Sequence, residues 1–272
     1  MFYGTPNVTI LMPVYNVARF LDVAVESVQK QTYVFWELLI IDDGSADSTL
    51  AIALEYEKKE SRIRVLRHLH NLGLVATLNH GLQETRGEFL ARLDGDDAWC
   101  EDTKLAHQVA FMETNPLCGL VGTSARVINE AGQNVGAIHM PVSNADIRRQ
   151  LLFRNTFVHS SVLMRTALVR KLNGYNENMR HVEDYDLWLR LGGIAELANL
   201  PELSTMYRVT NSGVTLTHNR EQVLRCRKLA VLYKRKYPFW LFAWTKWSLQ
   251  LFLVTLVGVR IFRKIKSLLW LN

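Results

Sequence analysis

Four apolar runs of strand length recur in the first 93 residues, each separated from the next by a stretch of helical periodicity. Val8 to Val14 is followed by a helical pattern from Ala18 to Gln29, then by Glu37 to Ile41 (ELLII). A second helix begins after Ser45 to Ser48, where Asp47 or Ser48 can cap its free amides, and runs to Lys59. Ile63 to Leu66, a helix over Leu74 to Glu84, and Glu88 to Leu93 complete the series. Strands apolar on both faces need cover on both faces, so the pattern predicts an α/β fold with a mainly parallel sheet flanked by helices. No internal repeat or low-complexity segment interrupts residues 1–220, which read as one continuous fold.

In such a sheet, ligands bind beyond the carboxyl ends of the strands. Tyr15 and Asn16 follow the first strand, Asp42-Asp43-Gly44-Ser45 the second, and Asp94-Gly95-Asp96-Asp97 the fourth. Three carboxylates within four residues repel one another, so at neutral pH they need a cation or raised pKa values, unless they form a solvated turn. Hard oxygen ligands suit Mg²⁺ or Mn²⁺, and Mg²⁺ binds through one or two carboxylates plus substrate phosphates. The second loop alone reads as a turn with an Asx-type cap; beside the first loop, Asp43 can accept hydrogen bonds from a base or ribose.

A third acidic group lies in Glu183-Asp184-Tyr185-Asp186, with Glu183 and Asp184 in the first turn of a helix. The helix dipole favours carboxylates there for structural reasons alone, and a general base is the functional alternative. GxGxxG after the first strand, GxxxxGK[ST] and GxSxG are all missing, which removes the usual signatures of dinucleotide oxidoreductases, P-loop kinases and serine hydrolases.

Pro13-Val14-Tyr15-Asn16, Ser27, Gln31-Thr32-Tyr33 and Glu37 to Ser45 with Asp47 and Thr49 resemble the opening of family 2 glycosyltransferases of the GT-A fold. The resemblance continues through Asn71-Leu72-Gly73, Asn79, Gly81, Gly87, Leu93 to Asp97, Gly174-Tyr175, Glu183-Asp184 and Tyr207-Arg208. It implies inverting transfer of a sugar from a nucleotide diphosphate donor, commonly a UDP-sugar, to a hydroxyl of a saccharide or lipid-linked acceptor. By position it implies that Pro13, Tyr15 and Asp43 flank the base and ribose. Asp94 and Asp96 form the DxD pair, with Asp96 the first choice for Mn²⁺ or Mg²⁺ and Asp97 able to replace it or hold the ribose. Asp184, next to Glu183, matches the catalytic base, and Arg208 is placed to meet the diphosphate. The His that often follows Tyr-Arg in the family is replaced by Val209-Thr210-Asn211-Ser212. His159, which the family often carries, reads as structural. Competing readings are a catalytically silent nucleotide-sugar-binding scaffold and a nucleotidyltransferase; the latter usually has a Gly- and Arg/Lys-rich loop where this chain has Pro13 to Asn16.

Charge divides the 272 residues unevenly. Eleven of the 32 Lys and Arg lie from Arg225 onward with no Asp or Glu among them, leaving the first 224 residues with a net charge of −5 against +6 overall. Residues 1–220 therefore read as the catalytic domain and 221–272 as a basic attachment region. Phe239 to Val259 is long enough for one membrane crossing, yet the basic residues beyond it oppose a span by the positive-inside rule. With Trp240, Trp244, Trp247 and Trp270 as anchors, a helix lying on the cytoplasmic face of the membrane is expected. A helix packed on protein and a true span are the alternatives. Nucleic-acid binding is not expected, because the basic residues are interleaved with apolar ones that require burial. Cys100, Cys118 and Cys226 show no metal spacing, and their odd number argues for a reducing compartment.

Overall fold

The computed structural model describes residues 6–210 and 219–269, with only the helical backbone over 257–269. Strands β1 (Val8–Val14), β2 (Trp36–Asp42), β3 (Ile63–Arg67) and β4 (Phe89–Arg92) alternate with helices α1 (Ala18–Gln29), α2 (Thr49–Lys59) and α3 (Leu74–Glu84), as the pattern predicts. The four strands pair in parallel in the order β3-β2-β1-β4, with Val8 opposite Trp36 and Phe89. Every residue of β1 and β2 is buried. Successive side chains alternate between two cores: Leu11, Leu39 and Ile41 join one with Leu78 of α3, while Ile10, Met12, Leu38 and Ile40 join the other with Leu21 and Val25 of α1. Cover on both faces is what a parallel sheet requires.

Past β4 come β5 (Ala98–Trp99), α4 (Lys104–Thr114), β6 (Cys118–Ile128), β7 (Asn134–Ile138), α5 (Asn144–Gln150), β8 (Leu163–Arg165), α6 (Thr166–Lys171), α7 (Glu183–Leu191) and β9 (Glu196–Arg208). The sheet continues β4-β8-β6-β9-β5, with β7 pairing β6. Here the expectation of a mainly parallel sheet is corrected: β8 runs antiparallel to both β4 and β6, β5 antiparallel to β9, and only β6 and β9 pair in parallel. The cause is local. A single 3-10 turn at His159–Ser161 sits against the end of β4, where the Arg92 amide donates to the Val162 carbonyl, so the chain enters β8 where β4 finishes and must run back along it.

The basic region forms α8 (Asn219–Leu232) and α9 (Trp240–Leu269). The expected boundary at 220/221 falls in the first turn of α8. Val223, Cys226, Leu229 and Ala230 of α8 share a core with Leu187, Trp188 and Leu191 of α7, and α9 adds Ala243 and Trp247. The Trp247 indole donates to the Leu152 carbonyl at 2.8 Å, and the Tyr237 hydroxyl donates to the Leu189 carbonyl at 2.8 Å. Outward from this contact, α9 exposes Phe242, Leu249, Phe252 and Leu256. Among the described residues no helix is long and apolar enough to cross a membrane. Trp270, Asn211 and Ser212 lie outside the described residues.

Candidate active site

The first two loops at the carboxyl edge are stitched together. The Asn16 amide donates to Ser45 Oγ at 3.0 Å, and the Ala46 amide donates to Asn16 Oδ1 at 2.8 Å. The Asp47 carboxylate accepts from the Thr49 amide at 2.9 Å and from the Ala18 amide at 3.2 Å, so one side chain serves the N-termini of both α2 and α1. Gly44 is required between them: its φ is +74°, and a Cβ would sit 2.6 Å from the carbonyl carbon of His70.

Asp43, buried at the same edge, is surrounded by donors. Its carboxylate accepts from the amides of Leu72 and Gly73, both at 2.9 Å, at the head of α3. His68 Nδ1 lies 2.7 Å away, and the other nitrogen of that ring meets His80 Nδ1 at 2.9 Å. Tyr15 stands 49% exposed beside this group, while Pro13 is buried within β1 opposite Ile41. The structure therefore brings Tyr15 and Asp43 to one edge and keeps Pro13 within the sheet.

The loop after β4 is organised around Arg92 and Ser160. Arg92, 1% exposed, lies two residues before Asp94 and donates to its carboxylate at 2.5 Å. Ser160 Oγ lies 2.9 Å from Asp94 Oδ2 and 2.5 Å from Asp97 Oδ2. A hydroxyl carries one proton, so when Ser160 donates to Asp94, the contact with Asp97 needs a proton on Asp97. The electrostatics agree. Burial, then the charges of Asp96 and Asp94, push Asp97 well above the usual carboxylate range. Burial also opposes ionisation of Asp94, but the Arg92 charge and the bonds from Ser160 and Arg92 outweigh it and hold that carboxyl low.

Arg208 closes this loop from β9. Its amide donates to Asp97 Oδ1 at 2.7 Å, its Nε to the Asp96 carbonyl at 2.7 Å and an Nη to the Asn129 carbonyl at 3.0 Å, with the guanidinium 4.5 Å above the Phe20 ring. Asp96 differs from its neighbours. It is half-buried, and its carboxylate takes a hydrogen bond from its own amide and from no other described residue. Burial and the charge of Asp94 push it up to about 6.

The opposite wall is the head of α7. Asp184 accepts from Asn155 Nδ2 and from the Tyr185 amide, both at 2.7 Å, and burial pushes its pKa upward. Glu183 is 7% exposed; burial and the Asp184 charge push it up to about 7, and its Oε2 has no hydrogen-bond partner. The charge of Asp94 raises both Glu183 and Asp184, so the head of α7 and the β4 loop lie within electrostatic reach of one another. Between them His159 meets the Tyr175 hydroxyl at 3.0 Å and packs edge-on against Trp188. Burial drives its pKa down to about 3, which leaves a neutral ring in a structural place. Tyr175 is pinned in turn by Asn79, whose side chain bonds both its amide and its carbonyl, and Gly174 leaves room for it, since a Cβ there would sit 2.5 Å from Asn79 Oδ1.

Four residues that the sequence reading missed matter here: Arg92, Ser160, Asn155 and His68. A lone arginine in an apolar strand, two positions before an acidic loop and so on the same face, was a signal for Arg92. The others reach the site from distant elements and carry no local signature. No group of three or more His, Cys, Asp or Glu among the described residues is disposed to hold a metal ion by itself.

The family model described as "Glycosyl transferase family 2" matches residues 9–173. EpsE of Bacillus subtilis (strain 168), a glycosyltransferase by assignment, is 38% identical over 188 residues, which is 68% of this chain and 66% of EpsE. The chain thus spans just under two thirds of that relative. The UDP-Glc:alpha-D-GlcNAc-diphosphoundecaprenol beta-1,3-glucosyltransferase WfgD of Escherichia coli is 32% identical over 219 residues, 79% of this chain and 81% of WfgD. Among solved structures, the mannosyltransferase PcManGT from Pyrobaculum calidifontis, in complex with GDP-Man and Mn²⁺, superposes with a TM-score of 0.67 at 16% identity. That match covers 99% of this chain and 82% of the other, and it shows a shared GT-A-like fold.

Proposed function

The chain belongs to glycosyl transferase family 2, and from that premise we propose that it moves a sugar, with inversion, from a nucleotide diphosphate donor to a hydroxyl of a saccharide or lipid-linked acceptor. A UDP-sugar is the favoured donor, supported by a relative whose name specifies UDP-Glc. The observation that supports the reading is that the acidic loop after β4 and the acidic head of α7 lie near enough for the Asp94 charge to raise both Glu183 and Asp184.

Inverting transfer needs an acceptor oxygen to attack the anomeric carbon in line with the departing diphosphate. Asp184 is the base that takes the acceptor proton. Asn155 and the Tyr185 amide fix its orientation, and burial lifts its pKa toward the pH at which a base works best. Glu183, with a pKa near 7, limits the negative charge beside it. Donor-side groups are Tyr15 and Asp43 for the base and ribose, with Asp97 and Arg208 bracing the acidic loop. The oxygen donors fit a hard cation: Asp96 is a carboxylate short of donors, and two carboxylates plus substrate phosphates make an ordinary Mg²⁺ or Mn²⁺ site. Asp96 with Asp94 would hold that cation, which would absorb charge on the diphosphate. A silent scaffold would have no use for the fixed, raised carboxylate of Asp184.

We place the protein on the cytoplasmic face of the cell membrane, attached through the outer side of α9. The exposed Phe242, Leu249, Phe252 and Leu256, with lysine and arginine nearby, support this. Release from membranes by salt alone would argue against insertion of those side chains.

The test is calorimetric titration of UDP, with and without Mn²⁺, into the wild type, Asp96→Ala and Asp184→Asn, alongside a transfer assay over a panel of nucleotide-sugars. Asp96→Ala should lose the Mn²⁺-dependent part of UDP affinity, and Asp184→Asn should bind UDP normally but fail to transfer. Unchanged metal-dependent affinity in Asp96→Ala contradicts the assignment.

A further inference from the structure

A groove of about 580 Å³ lies between α8 and α9 on one side and the turn at Asn178 and Met179 on the other. Met179, Leu224, Val231, Leu232 and Trp244 give it an apolar floor. Leu224, Val231 and Leu232 are 50%, 40% and 60% exposed, although the opposite face of α8 already supplies its contribution to the core. An amphipathic helix resting on a domain would ordinarily be polar there.

Three cations, Arg225, Arg227 and Lys228, also line the groove, and no acidic residue among the described ones does. Arg225 is engaged: it donates to Glu221 at 2.6 Å and to the Arg180 carbonyl. Arg227 lies 5.6 Å over the Trp244 ring, and Lys228 is exposed. Neither has a carboxylate partner among the described residues. Two adjacent positive charges above an apolar floor complement an anion that carries a long apolar chain, with charge density higher than a single phosphodiester supplies.

Location narrows the ligand further. Gln222 Nε2 donates to the His181 carbonyl at 3.2 Å, and Arg225 holds the neighbouring Arg180 carbonyl. Helix α8 is thereby fastened to the segment that runs directly into Glu183 and Asp184. Whatever sits in the groove lies beside the chain that delivers the base.

We propose that this groove binds the lipid chain and diphosphate of a lipid-linked acceptor, with Arg227 and Lys228 on the diphosphate, so that the acceptor sugar is presented toward Asp184. The proposal rests on the lipid-linked reading of the acceptor given above.

The test uses the full chain, with UDP present to occupy the donor site, and compares farnesyl diphosphate, farnesol and inorganic pyrophosphate by calorimetry. Farnesyl diphosphate should bind at least about tenfold more tightly than either fragment, because only it satisfies charge and floor together. The double variant Arg227→Gln/Lys228→Gln and, separately, Val231→Ser/Leu232→Ser should each weaken it by roughly tenfold or more while leaving UDP affinity and thermal stability unchanged. Equal binding of pyrophosphate, or full binding by either double variant, overturns the proposal. So does loss of binding to phosphatidylglycerol vesicles in the variants with farnesyl diphosphate binding intact, which would make the groove a bilayer contact. If wild-type UDP binding and sugar transfer fail while farnesyl diphosphate binds as expected, the glycosyltransferase reading falls and the groove stands; the reverse result removes the groove alone.

Discussion

The strands β2 and β4 lie on either side of β1 and both end in acidic loops, but the two sets of carboxylates live in opposite circumstances. Asp43, after β2, receives two main-chain amides and a histidine nitrogen within 2.9 Å. Asp96 and Asp97, after β4, and Glu183 and Asp184 across the cleft are all pushed upward, with burial the first cause in each. A carboxylate with three protein donors is already held in place before any ligand arrives. Around Asp94, by contrast, Asp96 and Glu183 are short of donors, and the deficit marks where substrate or cation charge belongs. Loss of Asp43 should therefore be felt in the fold as well as in donor binding, and loss of the other acids in chemistry.

The sharpest way to break this contrast is Asp184→Asn. It should lower the transfer rate by roughly 10²- to 10⁴-fold in a coupled UDP-release assay, with UDP affinity and stability held. Near-normal turnover would remove the cleft's claim to chemistry. Asp43→Ala should instead cost about 2–4 kcal/mol in urea unfolding, because two amides and a histidine lose a buried charged acceptor. A cost below about 1 kcal/mol would place Asp43 with the donor-poor acids.

Glu183 sharpens the contrast through pH. Its pKa rises from 4.5 in the unfolded chain to about 7 in the fold. Between those values the native state holds a proton that the unfolded chain has lost, so stability rises as pH falls through 7 and levels off below 4.5. Glu183→Gln should gain on the order of 2 kcal/mol at pH 8 relative to the wild type and lose part of that pH dependence, read as Tm from pH 5 to 8. A destabilised variant with an unchanged slope would mean that Glu183 is a satisfied structural acid like Asp43. The smallest effect belongs to a control away from both sites. Trp247→Phe removes one indole hydrogen bond to Leu152 and should cost about 1 kcal/mol, with transfer unaltered in detergent.

The same contrast explains what the sequence could disclose. Strands β1 to β4 and their helices were legible because both-face burial leaves continuous apolar runs, and the acidic loops followed from where those runs stop. The second half was not. Strand β8 has three residues, too few for periodicity, yet its antiparallel entry is where the sheet stops being parallel beyond β4. Strand β9 (ELANLPELSTMYR) mixes polar residues with Pro201 and alternates poorly. Within the site, the acids themselves were visible as clusters, whereas the partners that hold Asp94 low while Asp97 rises were not. Ser160 and Asn155 arrive from a turn and a loop far along the chain, and only Arg92 is close enough in sequence to have been read. The tail's basic and aromatic character was plain, while its docking on the core through Cys226, Leu229 and Trp247 depends on helix faces that composition does not reveal.

The most direct test is a crystal structure of the chain with UDP and Mn²⁺. The cation should be bonded to the Asp96 carboxylate and the diphosphate, with Asp184 facing the open side of the phosphates where a sugar would lie. A nucleotide bound elsewhere, or a diphosphate at the β4 loop with Asp184 turned away from it, would contradict the claim that these acids form one reaction centre.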